Sequence, residues 1–162
     1  MPYSKRTLNI LGFLAVTALL LMGFYLEYVE GMLPCPLCMV QRLFFFLIGV
    51  VFLVAVLRKL GKIGQRVCGG AIFIFALGGA SAAIRQLWVQ THSQTLSEIC
   101  MPGIQYMMTN FPFERALGLL LSGLGDCSEV SWRFLGLSLA GWALIAFISF
   151  AFLGLYQMLF AK

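Results

Sequence analysis

Two cysteines three residues apart, Cys35 and Cys38, are the residues of this sequence best placed to do chemistry. Arg42 follows the second cysteine by four residues. In a helix that begins near Cys35, Cys38 and Arg42 lie one turn apart on the same face. Pro36 suits the first turn of such a helix, where the amide donors and the helix dipole favour a thiolate over a thiol. The pattern predicts a reactive cysteine pair with a cation one turn deeper.

The same cysteine pair has three other interpretations: half of a zinc site, a structural pair, or a chance spacing. Zinc binding needs a second cysteine pair or nearby histidines, but the chain has a single histidine, His92, and no second CxxC. We therefore predict no metal and favour a redox pair that faces an oxidising compartment. Arg42 stands at the start of an uncharged run, residues 43–57, where a cation needs an anionic or polar partner. Because this helix supplies no acid, a bound ligand is the candidate partner.

The elements that position these residues are membrane helices. Of the 162 residues, 61% are hydrophobic and 10% are charged, and the mean hydropathy is +0.95. The uncharged runs approach the length that crosses a bilayer. The net charge is +5, but membrane orientation accounts for most basic residues and no soluble basic face for nucleic acid remains. The predicted fold is an all-α membrane protein, a four-transmembrane-helix bundle in a single domain, residues 1–162.

Four predicted helices use most of the chain. The first begins like a signal peptide, but its apolar run is too long and no small-residue cleavage pattern follows it, so we expect it to be retained. The third helix carries small residues at four-residue spacing, which predicts close helix packing. The rings of Phe44–Phe46 either line a cofactor pocket or, as is more common, serve packing and lipid contact. The helices are predicted at about 8–27, 37–57, 67–85 and 134–160, with outer loops at about 28–36 and 86–133.

Basic residues are distributed unequally between the two sides of the predicted membrane. Four spans place seven lysines and arginines and no acid on one side, and four arginines with all six acids on the other. Lysine and arginine mark the cytoplasmic side, so both termini are predicted to be cytoplasmic and both outer loops extracytoplasmic. The seven basic residues are Lys5, Arg6, Arg58, Lys59, Lys62, Arg66 and Lys162.

This orientation sorts the five cysteines. Cys35, Cys38, Cys100 and Cys127 fall on the outer side, where disulfides persist. Cys68 falls at the cytoplasmic end of the third helix, as a small hydrophobic side chain that stays reduced. A disulfide between Cys100 and Cys127 would close a loop of about 27 residues. As a permanent staple it would contribute roughly 3.5 kcal/mol, which a redox-active pair would give up in every cycle.

An apolar pattern with helical spacing lies between Cys100 and Cys127. Asn110 and Pro112 supply start signals just before it. The pattern predicts a short amphipathic helix on the outer membrane surface, with a loop helix packed on the ends of the spans as the alternative. Its apolar positions are Phe113, Leu117, Leu120, Leu121 and Leu124.

With two outer cysteine pairs on four spans, the chain resembles the DsbB family of disulfide-generating membrane proteins. Span number, orientation and the order of the loops agree with that family over nearly the whole chain. The resemblance is carried by Pro34-Cys35-Pro36-Leu37-Cys38 with Arg42, by Cys100 with Pro102, and by the stretch from Ser122 to Cys127 followed by Trp132-Arg133-Phe134-Leu135-Gly136-Leu137.

The resemblance implies roles at the first cysteine pair. Cys35 and Cys38 correspond to the pair that passes electrons to a quinone, with the thiolate of Cys38 facing it and Arg42 supporting it. His92 stands where the family has a histidine near the quinone. It would either move a proton, since imidazole titrates near pH 6.5 or so, or remain a solvated loop residue. Gln41 departs from relatives with an acid there, and leaves Arg42 without an acidic partner in its own helix.

The second pair has implied roles as well. Cys100 corresponds to the cysteine attacked by a reduced, soluble, periplasmic DsbA-like thiol oxidase, and Cys127 is its pair. The implied activity is reoxidation of that partner with ubiquinone or menaquinone as electron acceptor, in the bacterial inner membrane; DsbA, DsbB and quinone together keep the bacterial periplasm oxidising. A vitamin K epoxide reductase-like enzyme is disfavoured, because its CxxC follows the loop pair. The alternative is a structural or binding four-helix membrane protein with inert outer disulfides.

Overall fold

The computed structural model describes residues 5–29, 36–58, 61–91, 133–134 and 136–159. These residues form four long helices, and each is long and apolar enough to cross a membrane. The predicted all-α membrane fold class is confirmed, while the amphipathic helix predicted between Cys100 and Cys127 lies outside the described residues. The elements are α1 (Lys5–Tyr28), α2 (Pro36–Leu57), α3 (Lys62–Thr91), the strands β1 (Arg133–Phe134) and β2 (Leu137–Ser138), and α4 (Leu139–Leu159).

Successive helices are antiparallel neighbours. Contacts between facing residues run in opposite directions along each pair, as expected for an up-and-down bundle. The amide of Gln157 donates to Asn9 Oδ1 at 2.8 Å, so the end of α4 lies beside the start of α1. We call the opposite end of the bundle, marked by Glu27, Cys38 and Gln86, the Cys38 end. The facing pairs are Gly12 with Phe52 and Gly49 with Val16 (α1 with α2), Gly78 with Phe44 (α2 with α3), and Gly69 with Gly154 (α3 with α4).

Stacked aromatic rings fill the centre of the bundle. The buried ring of Phe45 lies 4.0 Å from that of Phe147, with 8° between the ring planes. Phe44 packs against Gly78, whereas Phe46 is exposed on the outside of α2. Because lipid tails are as apolar as these side chains, close packing rather than burial from water holds such helices together. Packing and lipid contact therefore account for the three neighbouring rings of α2.

Small residues bring α3 and α4 into backbone contact. A Cβ atom on Gly69 would lie 2.8 Å from the carbonyl oxygen of Gly154 and 2.8 Å from the amide nitrogen of Met158. Further along α3, the ring of Phe147 lies directly over Gly79, a position that the spacing of small residues predicted to be a close contact. These contacts fix the register of α3 and therefore the depth of its C-terminal end.

Gly69→Ala is expected to destabilise the bundle by about 1–3 kcal/mol, because the added methyl group meets backbone that cannot move without separating the helices. Gly70→Ala is the matched control on the next residue. The nearest atom to a Cβ there is Met158 Sδ at 3.8 Å, an ordinary contact, and alanine has the better helix propensity. Thermal unfolding of the detergent-solubilised variants measures both effects. Equal midpoints for the two variants would contradict the described α3–α4 contact.

Two helices differ in extent from those predicted. α3 was predicted at about 67–85, but it covers Lys62–Thr91, about 45 Å of helix and longer than the hydrocarbon core. Both ends of α3 contain polar residues, so the hydropathy pattern predicted a shorter helix than the one that forms. The last helix was predicted from about residue 134 but begins at Leu139. An antiparallel hairpin precedes it, turning at Gly136 with a φ of 81° that favours glycine.

Candidate redox site

The start of α2 places Cys38 as the sequence predicted. Pro36 is the first residue of the helix and Cys38 the third. Proline suits that position because its missing N–H would have no helical acceptor. The side chain of Cys38 is half-buried and lies in the first turn, near amide groups that have no partner within the helix and near the positive end of the helix dipole. This location favours a negatively charged sulfur.

Arg42 lies one turn deeper on α2 and is held by α1. Its guanidinium forms an ion pair with Glu27, and Nη2 donates a hydrogen bond to the carbonyl oxygen of Gly23 at 2.8 Å. The same group lies 5.1 Å from the centre of the Phe24 ring, within the range of a cation–π contact. The side chains of Arg42 and Glu27 are 21% and 22% exposed, so the pair is partly accessible. Three neighbouring residues of α1 thus fix the position of one guanidinium.

This arrangement corrects the expectation that the partner of Arg42 is a ligand. The acid comes from the last turn of α1 rather than from α2 itself. α1 and α2 are antiparallel, so an acid near the end of one helix meets an arginine near the start of the next. Arg42 carries five N–H donors in a planar fork, and the two contacts leave further donor capacity in its half-buried side chain.

Two buried amides connect Cys38 to the α2–α3 interface. Gln86 Nε2 donates a hydrogen bond to Cys38 Sγ at 3.1 Å. Gln86 Oε1 accepts a hydrogen bond from Gln41 Nε2 at 2.7 Å. Gln41 is 5% exposed and Gln86 is 4% exposed, so both amides are largely removed from solvent and lipid. Gln86 was not predicted as a site residue, because the hydropathy pattern placed it in the second outer loop, whereas α3 extends to Thr91.

Cys38 packs against buried apolar side chains and lies near the apolar, lipid-facing surface of α2. Leu37 and Val89 are buried against each other and Cys38 packs on them. On the outside of α2, Met39 and Leu43 are exposed large apolar side chains, and in a membrane these face lipid. The site therefore combines a thiol, a cation and an amide at the boundary between the bundle interior and its lipid-facing surface.

The remaining predicted site residues are Cys35, His92, Cys100 and Cys127, and all four lie outside the described residues. Their roles stay predictions. Cys68 lies in the second turn of α3, at the end of the bundle opposite Cys38, and is half-buried. Its sequence interpretation as a small side chain remote from the chemistry is consistent with that placement.

Four antiparallel apolar helices with a polar cluster around a cysteine at one end define a multi-pass membrane protein. The family model described as "Disulfide bond formation protein DsbB" matches residues 5–157, and the chain belongs to the DsbB family. It is 46% identical over 132 residues to disulfide bond formation protein B of Hahella chejuensis, covering 82% of this chain and 80% of that relative. It is 43% identical over 129 residues to disulfide bond formation protein B 1 of Pseudomonas aeruginosa, covering 80% and 79%. No solved structure matches the chain.

Membership of this family gives the chain a coarse function. It is a membrane protein of disulfide bond formation, and the family indicates a disulfide-forming oxidoreductase. The first cysteine pair is therefore part of a protein whose relatives work on disulfides.

Proposed function

We propose that the protein reoxidises a soluble, periplasmic, DsbA-like thiol oxidase and passes the electrons to ubiquinone or menaquinone. One observation supports this most: in a chain of the DsbB family, Cys38 lies in the first turn of α2 with the fixed guanidinium of Arg42 one turn deeper. A thiol that must become a thiolate gains from both the helix terminus and the cation. An inert structural cysteine needs neither.

The described residues fit a quinone head group. Arg42 has donor capacity for an oxygen that becomes negative or strongly accepting, and Glu27 and Gly23 orient it in advance. The exposed apolar side chains of Met39 and Leu43 offer a lipid-soluble ring a surface to approach. A bound quinone supplies an acceptor for two electrons and two protons. Cys35 and Cys38 together hold the electron pair of one dithiol, which matches that capacity.

The second cysteine pair supplies the link to the soluble partner. The partner thiolate attacks Cys100 of a Cys100–Cys127 disulfide, and resolution of the mixed disulfide leaves the partner oxidised and this pair reduced. The reduced pair then exchanges with a Cys35–Cys38 disulfide, which takes up the same two electrons. His92 is the proton carrier of this scheme, since imidazole changes its charge near neutral pH.

The scheme requires a defined orientation in the bacterial inner membrane. The start of α1 and the end of α4 lie at the same end of the bundle. The two termini, the connection between α2 and α3 and the start of α3 belong to this end, and together they carry seven basic residues and no acid. We propose that this end is cytoplasmic and that both cysteine pairs face the periplasm. The lipid bilayer then delivers the quinone laterally, and the oxidising compartment delivers the partner.

The test is turnover by the purified protein in lipid vesicles. Reduced DsbA-like partner and a short-chain ubiquinone are mixed with it, and partner disulfides and quinone absorbance are followed together. We expect one quinone consumed for each partner disulfide formed. Cys68→Ala should retain the rate within about twofold, because Cys68 lies at the far end of the bundle. A partner that stays reduced, with both outer pairs permanently oxidised, would instead support the structural alternative.

A further inference from the structure

Gln86 is held with one particular end of its amide toward sulfur. A glutamine amide has a donor end, the NH2 group, and an acceptor end, the oxygen. The oxygen of Gln86 is occupied by the donated hydrogen bond from Gln41, at 2.7 Å. The NH2 group therefore points at Cys38 Sγ, 3.1 Å away. Gln41 belongs to α2 and Gln86 to α3, so the contact between these helices sets the direction of the amide.

We propose that Gln86 is a catalytic residue, which stabilises the thiolate of Cys38 by hydrogen bonding, and that Gln41 is a positioning residue, which fixes the orientation of the Gln86 amide. This proposal rests on the proposed function, in which Cys38 cycles between disulfide and thiolate. It assigns to α3 a part in a site that otherwise consists of residues of α1 and α2.

The hydrogen bond from Gln86 favours the thiolate of Cys38 over the thiol. A thiolate accepts hydrogen bonds but cannot donate one, so an N–H directed at sulfur favours the ionised form. Hydrogen bonds to charged groups are stronger than those between neutral groups, and a buried setting strengthens them further. Leu37 and Val89 supply that setting, since both are buried and Cys38 packs against them.

A carboxylate in place of Gln41 is expected to reverse the Gln86 amide. A carboxylate accepts hydrogen bonds and cannot donate one. In Gln41→Glu the Gln86 amide must therefore turn its NH2 group toward residue 41, which leaves its oxygen facing Cys38. Glutamate is nearly the same size as glutamine, and residue 41 acts on the sulfur only through Gln86. The substitution should nevertheless remove the hydrogen-bond donor from Cys38 Sγ.

The test uses full-length protein in lipid vesicles in which Cys38 is the remaining cysteine, with Cys35, Cys100 and Cys127 changed to serine and Cys68 to alanine. The readout is the rate of alkylation by iodoacetamide between pH 6 and 11, without quinone or partner. Because alkylation needs the thiolate, Gln86→Leu should slow the reaction at pH 7 about tenfold. Gln86→Glu and Gln41→Glu should slow it at least as much, because each puts an oxygen against the sulfur.

The pH dependence separates this effect from altered access. If a variant has lost the hydrogen-bond donor to the thiolate, its alkylation rate returns to the unsubstituted rate at high pH, where the sulfur is ionised in every variant. If iodoacetamide cannot reach the sulfur, alkylation is slower at all pH values. The three substitutions leave the charged side chains of this end in place: Arg42 with Glu27 on α1, and Arg85 on α3, whose guanidinium lies 4.7 Å from the centre of the Trp88 ring.

Gln157→Leu is the matched control for general destabilisation. It removes a buried amide of the same type, hydrogen-bonded to Asn9 at 2.8 Å, at the opposite end of the bundle. Its alkylation profile should be unchanged. Unchanged or faster alkylation in Gln86→Leu would overturn the proposal, and so would a rate reduced equally at all pH values. Because no turnover is measured, these outcomes are independent of whether the proposed electron transfer occurs.

Discussion

Cys100→Ser is expected to abolish oxidation of the soluble partner while leaving the reaction of the Cys35–Cys38 dithiol with quinone intact. Cys100 is the residue that forms the mixed disulfide with the partner, and serine cannot replace its sulfur in that exchange. Cys38 lies in the first turn of a helix whose neighbours are α1 and α3, and among the described residues it contacts Gln86, Leu37 and Val89. The two half-reactions are measured separately, by trapping of partner disulfides and by loss of quinone absorbance after chemical reduction.

Cys127→Ser is the companion variant, and it should accumulate the mixed disulfide because the second thiol that resolves it is missing. Trapped complexes on non-reducing gels would show this directly. Normal disulfide formation in cells that carry either variant would contradict the relay and would favour a Cys100–Cys127 staple.

Arg42→Gln is expected to lower quinone use about ten- to a hundredfold. The substitution removes a charge-assisted hydrogen bond, worth about 1.5–3 kcal/mol, and each 1.4 kcal/mol or so is a factor of ten in rate. Arg42→Lys should recover part of the loss, because lysine restores the charge without the planar fork. Steady-state kinetics with quinone as the varied substrate measure the effect, and thiol exchange at Cys100 should stay near normal.

The ion pair with Glu27 requires a further control. Arg42→Gln leaves the half-buried carboxylate of Glu27 without its cation, so part of any loss could reflect instability. The double variant Arg42→Gln with Glu27→Gln removes that carboxylate. It should regain thermal stability relative to the single variant but not quinone use. Glu27→Gln alone, which keeps the cation, should lower quinone use less than Arg42→Gln. If quinone use is unchanged in Arg42→Gln, then Arg42 is an interfacial anchor and the quinone site lies elsewhere.

Local patterns in the sequence determined the fold class and the first turn of the site. Apolar runs of bilayer length predicted four helices, because in lipid every backbone polar group must be paired within its own helix or barrel. Pro36 and the spacing of Cys38 and Arg42 predicted a helix start with both side chains on one face, because these features depend on one helical turn of chain. The structure confirms both predictions.

The tertiary structure decided which residues complete the site. Glu27 meets Arg42 from 15 residues away, and Gln86 meets Cys38 from 48 residues away. Neither contact can be predicted from the local sequence, because each depends on the relative depth of two neighbouring helices in the bundle. That depth follows from glycine contacts such as Gly69 with Gly154, where backbones touch. The hydropathy pattern predicted that α3 ends before Gln86, because hydropathy reports only the polarity of each side chain. The helix continues because packing against α2 gives the polar side chain of Gln86 partners in Gln41 and Cys38.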